Sequence, residues 1–520
     1  MIQTAPRSES GDRTEGGGRH GRRIAALSGL VAVCALAAQW AVKTPPLYFD
    51  PYYVWLGARD WPDVPLDRWP FSDVPHQVTR IGLLLPARLA QEVLGPGQVA
   101  YYTVAFGGSC LFFVGVYLLV RSMFGDVAGV ASALLLIVHP FFTLTNPFGH
   151  EITWSMGVML PDMPGAGLFA IGMAGLVVAS RRTGRAQTRM LLLAGTCLGS
   201  SFLIREFLAF LFLMIPAYLA LLRIPWRRNI TVGIPMAVIL VFDFVHNTLV
   251  WGDPLAGILS AAEHGGQSRD YVTRPLAAES FWRAMHDWNA LGTVFVGALA
   301  LTVVGWVVTR DRRLALCLVW FFTLAIPLTL FAGVLDPNSI SLRAWLLRYW
   351  FGIFPALLAG GCGTLILLAR RVPADAVARW RLRPVAAAVA VALSAVYVVA
   401  AVRAVPSLPR DTAWAELRTY LTGRTDLPVL TADRRLAQTL TFYTRTPWGD
   451  PVWHGRVQDY DQYFPAPTPA PPTAPALYTH WRGMEGQSLG GWRPSAKEGW
   501  TLRWHSSDGV LELWNPPAAR

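Results

Sequence analysis

Residues 20–53 read HGRRIAALSGLVAVCALAAQWAVKTPPLYFDPYY, and this one stretch holds in order the three features that recur along the chain. Arginines come first (Arg22, Arg23), then the apolar run Ile24–Val42, then an acidic and aromatic segment, Tyr48-Phe49-Asp50-Pro51-Tyr52-Tyr53. A helix needs about 20 apolar residues to cross a ~30 Å hydrocarbon core. Ile24–Val42 meets that length and exceeds the apolar core of a usual secretory signal, and further runs follow it, so it reads as a retained first span rather than a cleaved leader. Met1 to Arg23 is rich in Gly, Ser and Arg without apolar periodicity, which predicts a disordered cytoplasmic segment over 1–23.

Working outward, ten more runs satisfy the same rule: Gln98–Val120, Val127–Thr145, Met163–Ser180, Met190–Ile204, Phe207–Leu222, Ile230–Val250, Ala290–Thr309, Leu314–Val334, Trp345–Ala369 and Val385–Val402. Met190–Ile204 and Phe207–Leu222 are short and read as a helix hairpin with Arg205-Glu206 at its tip. Composition agrees with a membrane solvent: 53% of the 520 residues are hydrophobic, only 15% are charged, and mean hydropathy is +0.36. A soluble chain carries nearer a quarter charged residues.

The formal charge of +12 would suggest nucleic acid in a soluble protein. Here the arginines cluster in short connections: Arg19/Arg22/Arg23, Arg121, Arg181/Arg182/Arg185/Arg189, Arg223/Arg227/Arg228, Arg310/Arg312/Arg313 and Arg370/Arg371/Arg379/Arg381/Arg383. All fall on one side if the odd-numbered spans run outward, with no run added or dropped. That is the positive-inside pattern. It predicts a multi-pass cell-membrane protein with a cytoplasmic N-terminus and no nucleic-acid partner. The opposite face then carries the loop 43–97, His150-Glu151, Asp162, the Arg205-Glu206 tip and the loop from Trp251 to Asn289. It also carries the segment 405–520, while 24–404 forms the membrane domain.

Within 405–520 the pattern predicts a small extracytoplasmic α/β domain. Thr412–Thr422 and Arg434–Tyr443 read as helices; Pro428–Thr431, Ala476–Thr479 and Trp500–Trp504 read as strands. Ser507-Asp508-Gly509 turns into Val510–Trp514 as a hairpin, and Pro465–Pro475 is a Pro-rich linker. The five cysteines all lie in apolar runs without CxxC spacing, so no disulfide framework is expected. No internal repeat is visible, which gives inverted-repeat transporter architecture no support.

Candidate chemistry gathers at the predicted outer helix ends. Asp50, just past the first span, is placed either as a general base for a hydroxyl or as the cap of a helix starting at Pro51. Asp162, entering the fourth span, has the same two readings. Glu151 and Glu206 are further acidic candidates. Arg205 interrupts an apolar stretch, and a charge at membrane depth faces a cavity or a partner, here either a ligand or Glu206. Arg348-Tyr349 lies about four residues into the tenth span, with Arg343 upstream. Arginine suits bidentate phosphate contact, and snorkelling to the interface is its other reading. His76 and Arg80 either contact a phosphate or form a solvated helix face. No HxxxH or His/Cys cluster appears, which argues against a dedicated zinc site.

With those positions in hand, the chain resembles the C-type (GT-C) membrane glycosyltransferases. It looks most similar to the branch of protein O-mannosyltransferases and lipid A aminoarabinose transferases. Asp50-Pro51-Tyr52 also looks like the Asp-Pro-Tyr of oligosaccharyltransferase catalytic subunits, although the family's Asp-Glu pair is absent because Pro51 follows Asp50. Asp162 sits where the family has a second acidic residue. Phe202 to Phe207 resembles its basic tip, His246-Asn247 with Trp251-Gly252-Asp253-Pro254 its Asn and Gly-x-Pro segment, and Arg348-Tyr349 with Pro355 its Arg-Tyr helix. The resemblance implies an inverting hexosyl- or pentosyltransferase with a polyprenyl-phosphate sugar donor and a protein, lipid or glycan acceptor. Asp50 and Asp162 would be catalytic. Arg205, Arg348, His76 and Arg80 would bind the donor phosphate, with Glu151, Glu206 and Tyr349 secondary. Some relatives use a divalent metal (Mg or Mn) and others none; both remain open. The rival reading from another class is a membrane transporter or lipid flippase, which calls for charges in mid-helix and broken helices matched between two halves.

Overall fold

A computed structural model describes residues 13–43, 49–63, 76–139, 157–263, 279–286, 290–330, 347–371, 391–400, 403, 411–460, 472–480 and 493–517. The chain runs through α1 (Arg13–Val42), α2 (Phe49–Asp60), α3 (Ile81–Leu94), α4 (Gln98–Phe124), α5 (Asp126–Ile137), α6 (Asp162–Ala179) and α7 (Gly184–Ile204). A 3-10 segment (Glu206–Met214) leads into α8 (Ile215–Leu221), followed by α9 (Arg228–Trp251), α10 (Ala256–Glu263), α11 (Ser280–His286), α12 (Thr293–Thr309) and α13 (Arg312–Thr329). A second 3-10 segment (Leu347–Ile353) opens α14 (Phe354–Ala369), and α15 spans Val391–Ala400. Each of the eleven predicted apolar runs overlaps one of these helical segments, and parts of Val127–Thr145, Leu314–Val334, Trp345–Ala369 and Val385–Val402 lie outside the described residues. Six helices are long and apolar enough to cross a membrane by length and composition, and four shorter apolar helices accompany them. The architecture is that of an α-helical polytopic membrane protein.

The bundle packs through small residues. A Cβ on Gly115 of α4 would lie 2.6 Å from the Gly167 carbonyl oxygen, and one on Gly167 of α6 would lie 2.7 Å from the Leu111 backbone. Between lipid-solvated helices such close approach is a main source of packing energy. Around that crossing, Phe112, Phe113, Phe169, Trp320 and Trp350 are buried, and the Trp320 indole donates to the Gly352 carbonyl at 2.9 Å.

Two helices lie in the segment read as a long loop. α2 and α3 are too short to cross a membrane, and their apolar faces (Val54, Trp55, Ala58; Ile81, Leu84, Ala87) bury against α4 and the C-terminal segment. That segment forms α16 (Thr412–Leu421), β1 (Val429–Asp433), α17 (Arg434–Tyr443), β2 (Arg456–Tyr460), β3 (Ala476–Thr479), β4 (Thr501–His505) and β5 (Leu511–Asn515). The sheet order is β2-β1-β3-β5-β4, with β1 parallel to β2 and β3 and the last three strands antiparallel. The predicted strands are present. β2 was not legible, because RVQDY lacks apolar alternation. A single hydrophobic cluster joins α2, α3 and α4 to α16, α17 and the sheet.

The basic connections do share one end of the bundle. Arg121, Arg181, Arg313 and Arg370 line one cavity there. Arg228 donates to Thr188 at 2.9 Å and Arg23 pairs with Asp126 at 2.8 Å, which brings the remaining clusters to the same end. Asp162 begins α6 and Arg181 follows its last turn. Its 18 residues span about 27 Å at 1.5 Å per residue, close to a membrane's hydrocarbon thickness.

Candidate active site

At the end of the bundle opposite the arginine-rich connections, five separate pieces of chain deliver charged side chains to one buried cluster. Asp50 lies in the first turn of α2. Oδ1 accepts from the Gln77 amide at 3.0 Å, and Oδ2 accepts from Arg348 Nη1 at 3.2 Å, across 298 residues. Arg348 is buried on the 3-10 turn before α14 rather than inside a regular helix.

Asp162 is the first residue of α6, with Pro161 in the cap position and no side-chain capping bond. Its carboxylate faces Arg205, with Nε 3.0 Å from Oδ1, and the two side chains are only 6% and 2% exposed. Arg205 is where α7 stops. Its backbone is extended (φ −146°, ψ 99°) and the chain resumes as the 3-10 segment, so the helix break turns the guanidinium inward. There it lies 4.7 Å from the Phe207 ring centroid and 4.7 Å from that of Tyr349, while Arg348 lies 5.6 Å from the same Tyr349 ring. Tyr349 thus stands between two guanidinium groups, an arrangement in which each cation–π contact contributes about 0.5–2 kcal/mol.

The Arg205–Asp162 contact is close enough to pair charges but is not aligned as a hydrogen bond. Arg205 Nε and Nη2 and both Asp162 oxygens are buried with no hydrogen-bond partner among the described residues. Buried charged groups are ordinarily satisfied, so these unfilled donors and acceptors are the unusual feature of the fold. Asp162, Tyr349, Glu206 and Arg348 all lie within electrostatic range of Arg205.

Glu206 does not pair with Arg205. It takes Arg80, whose Nε sits 3.0 and 3.2 Å from its two oxygens. Arg80 is buried, which corrects the solvated-face reading; it closes the turn 76–80, where the Thr79 hydroxyl donates to the His76 carbonyl at 3.0 Å. His76 is buried at the start of that turn, the turn that also carries Gln77. Glu151 and Arg343 lie outside the described residues.

Three participants escaped the sequence reading. Gln77 is a neutral amide with nothing to mark it. Asp243 sits inside the apolar run of α9 and is 6% exposed, within range of Glu206, and accepts from Asn247 at 3.1 Å one turn on. A lone acid in a membrane helix is the signal that could have found it. Trp61, beyond α2, donates to His246 Nε2 at 3.2 Å and lies stacked on that ring.

The carboxylates here face guanidinium groups and amides, a donor set that suits an anionic ligand. Among the described residues no three His, Cys, Asp or Glu side chains converge. The described residues do not fit a divalent cation.

No protein-family model and no curated protein matches the sequence. Solved structures do match in fold. ArnT from Cupriavidus metallidurans in the apo state superposes with a TM-score of 0.52 at 14% identity, covering 95% of this chain and 98% of that one. The archaeal oligosaccharyltransferase AglB from Archaeoglobus fulgidus, in complex with an inhibitory peptide and a dolichol-phosphate, aligns at a TM-score of 0.47 and 14% identity. That alignment covers 82% of this chain, which spans 64% of the oligosaccharyltransferase. The end-to-end match to ArnT gives this chain the GT-C membrane fold.

Proposed function

From a chain with the GT-C fold and a buried cluster of alternating charges, we propose an inverting glycosyltransferase. It moves a sugar from a polyprenyl-phosphate donor to an acceptor hydroxyl at the extracytoplasmic face. The acceptor oxygen attacks the anomeric carbon; the bond from that carbon to the phosphate oxygen breaks, and polyprenyl phosphate leaves. The acceptor proton passes to Asp50, whose carboxylate is held in one orientation by Gln77 and Arg348.

Negative charge grows on the departing phosphate, and preorganised cations in a dry site stabilise it far better than mobile ones in water. The observation that carries the reading is Arg205: a buried guanidinium with two unfilled donors beside Asp162, sharing the Tyr349 ring with the arginine that holds Asp50. Asp162 keeps Arg205 in place until the phosphate arrives. Arg80 is engaged by Glu206 and supports the wall of the site from one step further out. The lipid tail of the donor would lie between helices, which accounts for a membrane scaffold around this chemistry.

The test is transfer from a panel of polyprenyl-phosphate sugars, with the protein reconstituted in vesicles. Asp50→Asn keeps the side chain's shape and one acceptor oxygen but removes the base, so transfer should fall by roughly 10²–10⁴-fold while the protein is still expressed and folded. Unchanged transfer by Asp50→Asn removes Asp50 as the base; no transfer from any such donor by the wild type overturns the reading.

A further inference from the structure

A second charged cavity lies at the other end of the bundle, about 27 Å from the first along α6, and its argument is independent of the transfer reaction. It has a volume of about 350 Å³, and four arginines from four separate connections line it: Arg121, Arg181, Arg313 and Arg370. We propose that this cavity binds the phosphate group of an anionic phospholipid headgroup.

Basic residues at one membrane face are expected of any multi-pass protein; four guanidinium groups around one cavity, three of them held by the surrounding chain, are not. Arg313 Nη1 donates to the Met123 carbonyl at 2.7 Å, and its guanidinium lies 4.7 Å from the Phe124 ring. Arg181 is anchored on the Ser122 carbonyl. Arg121 donates to Asp126 at 2.6 Å. The backbone at the end of α4 therefore serves as a frame, and the side chains are held before any ligand arrives.

Their charge is only partly cancelled: Arg121 and Arg313 have carboxylate partners, and Arg181 and Arg370 have none among the described residues. Asp126 is the single carboxylate in the lining, and it is already bridged to Arg121 and to Arg23. Asp311 is taken by Arg313 at 2.7 Å. Burial, then the neighbouring Arg313 and Arg121, push the Arg181 pKa below its ordinary value. Arg370 is exposed at the rim, following the last turn of α14.

The level of the cavity selects the source. It lies where α4, α6 and α14 end and α13 begins, at the headgroup depth of a bilayer crossed by those helices. A phosphodiester there offers oxygens to a ring of Arg donors, the charge-assisted geometry that guanidinium groups form best.

The experiment compares lipid retention and thermal unfolding of the full-length protein. The protein is delipidated in detergent and titrated with phosphatidylglycerol, with phosphatidylcholine, or with inorganic phosphate. The wild type should retain phosphatidylglycerol over phosphatidylcholine by roughly tenfold or more and melt higher when it is bound, since a ligand specific to the folded state stabilises it. Arg370→Gln, which changes an exposed side chain, and the double variant Arg181→Gln/Arg370→Gln should bring the preference towards parity. Arg182→Gln, which removes a charge from the same connection outside the cavity, should leave it intact. Inorganic phosphate that reproduces the shift and displaces the lipid identifies a free anion as the occupant and overturns the lipid assignment. No preference in the wild type, full preference in the double variant, or equal loss with Arg182→Gln overturns the site.

Discussion

Arg205 and Asp162 make a pair whose value depends on both being present. Each is almost wholly buried, and removing one partner of such a pair costs about 3–5 kcal/mol because the other charge is left without compensation. Arg205→Gln should therefore lower both melting temperature and transfer, whereas Arg205→Gln/Asp162→Asn should recover much of the stability while transfer stays down by about 10²–10³-fold. A double-mutant cycle on thermal unfolding, read beside the transfer rate, separates the two effects. A loss in the double variant equal to the sum of the losses in Arg205→Gln and Asp162→Asn would show that the pair is not coupled. The same residues show what a sequence can reveal. Asp50, Asp162, Arg205 and Arg348 stood out because a charge beside an apolar run is costly and so demands a reason. Gln77 carries no such cost and left no mark. The pairings were out of reach for a different cause: Glu206, adjacent to Arg205 in the chain, takes Arg80 instead, and only the extended backbone at Arg205 decides that.

Helices were legible wherever the surrounding solvent imposes a period or a length, and illegible where neither applies. The membrane spans came through because hydrocarbon requires an uninterrupted apolar run. α2 and α3 did not, because they are short and half covered, and their apolar residues meet partners in the C-terminal segment rather than lipid. The 3-10 start at Leu347 and the break at Arg205 were likewise invisible, since both depend on tertiary contacts. The α4–α6 crossing is the strongest element-scale constraint. A Cβ on Gly167 would meet Leu111 and Phe112 backbone atoms at 2.7 Å, and backbone cannot rotate away as a side chain can. Gly167→Val should cost about 1–3 kcal/mol or more through overpacking and separate Asp162, at the head of α6, from its partner on α7. Lower detergent melting together with reduced transfer is the expected result. Wild-type melting would show that the helices do not approach as described.

Across the whole molecule the acid–arginine cluster depends on a domain that contributes none of its charges. Phe442 on α17 packs 5.6 Å from Trp55, on the helix that carries Asp50, and 5.2 Å from Tyr101 on α4. The Pro447 carbonyl accepts from Val99 N–H at 3.0 Å, and Arg418 reaches the Gln98 amide. The C-terminal domain therefore packs α2 against the bundle. Gly97 is the place to loosen that packing without touching the site. Its backbone is extended (φ −112°), so any residue can adopt it, yet a Cβ there would fall 2.2 Å from the Pro447 oxygen and 2.6 Å from Gly449 N. Gly97→Val should lift the domain off the bundle at a cost of about 1–3 kcal/mol. It should also raise the protein's susceptibility to protease. Asp50 would then lose its fixed position while Arg205 and Asp162, held on α6 and α7, keep theirs. Donor affinity should accordingly survive and turnover should fall. Loss of donor binding in step with turnover would mean that the domain supports the phosphate side of the site as well, and unchanged proteolysis and turnover would mean that the domain does not hold α2.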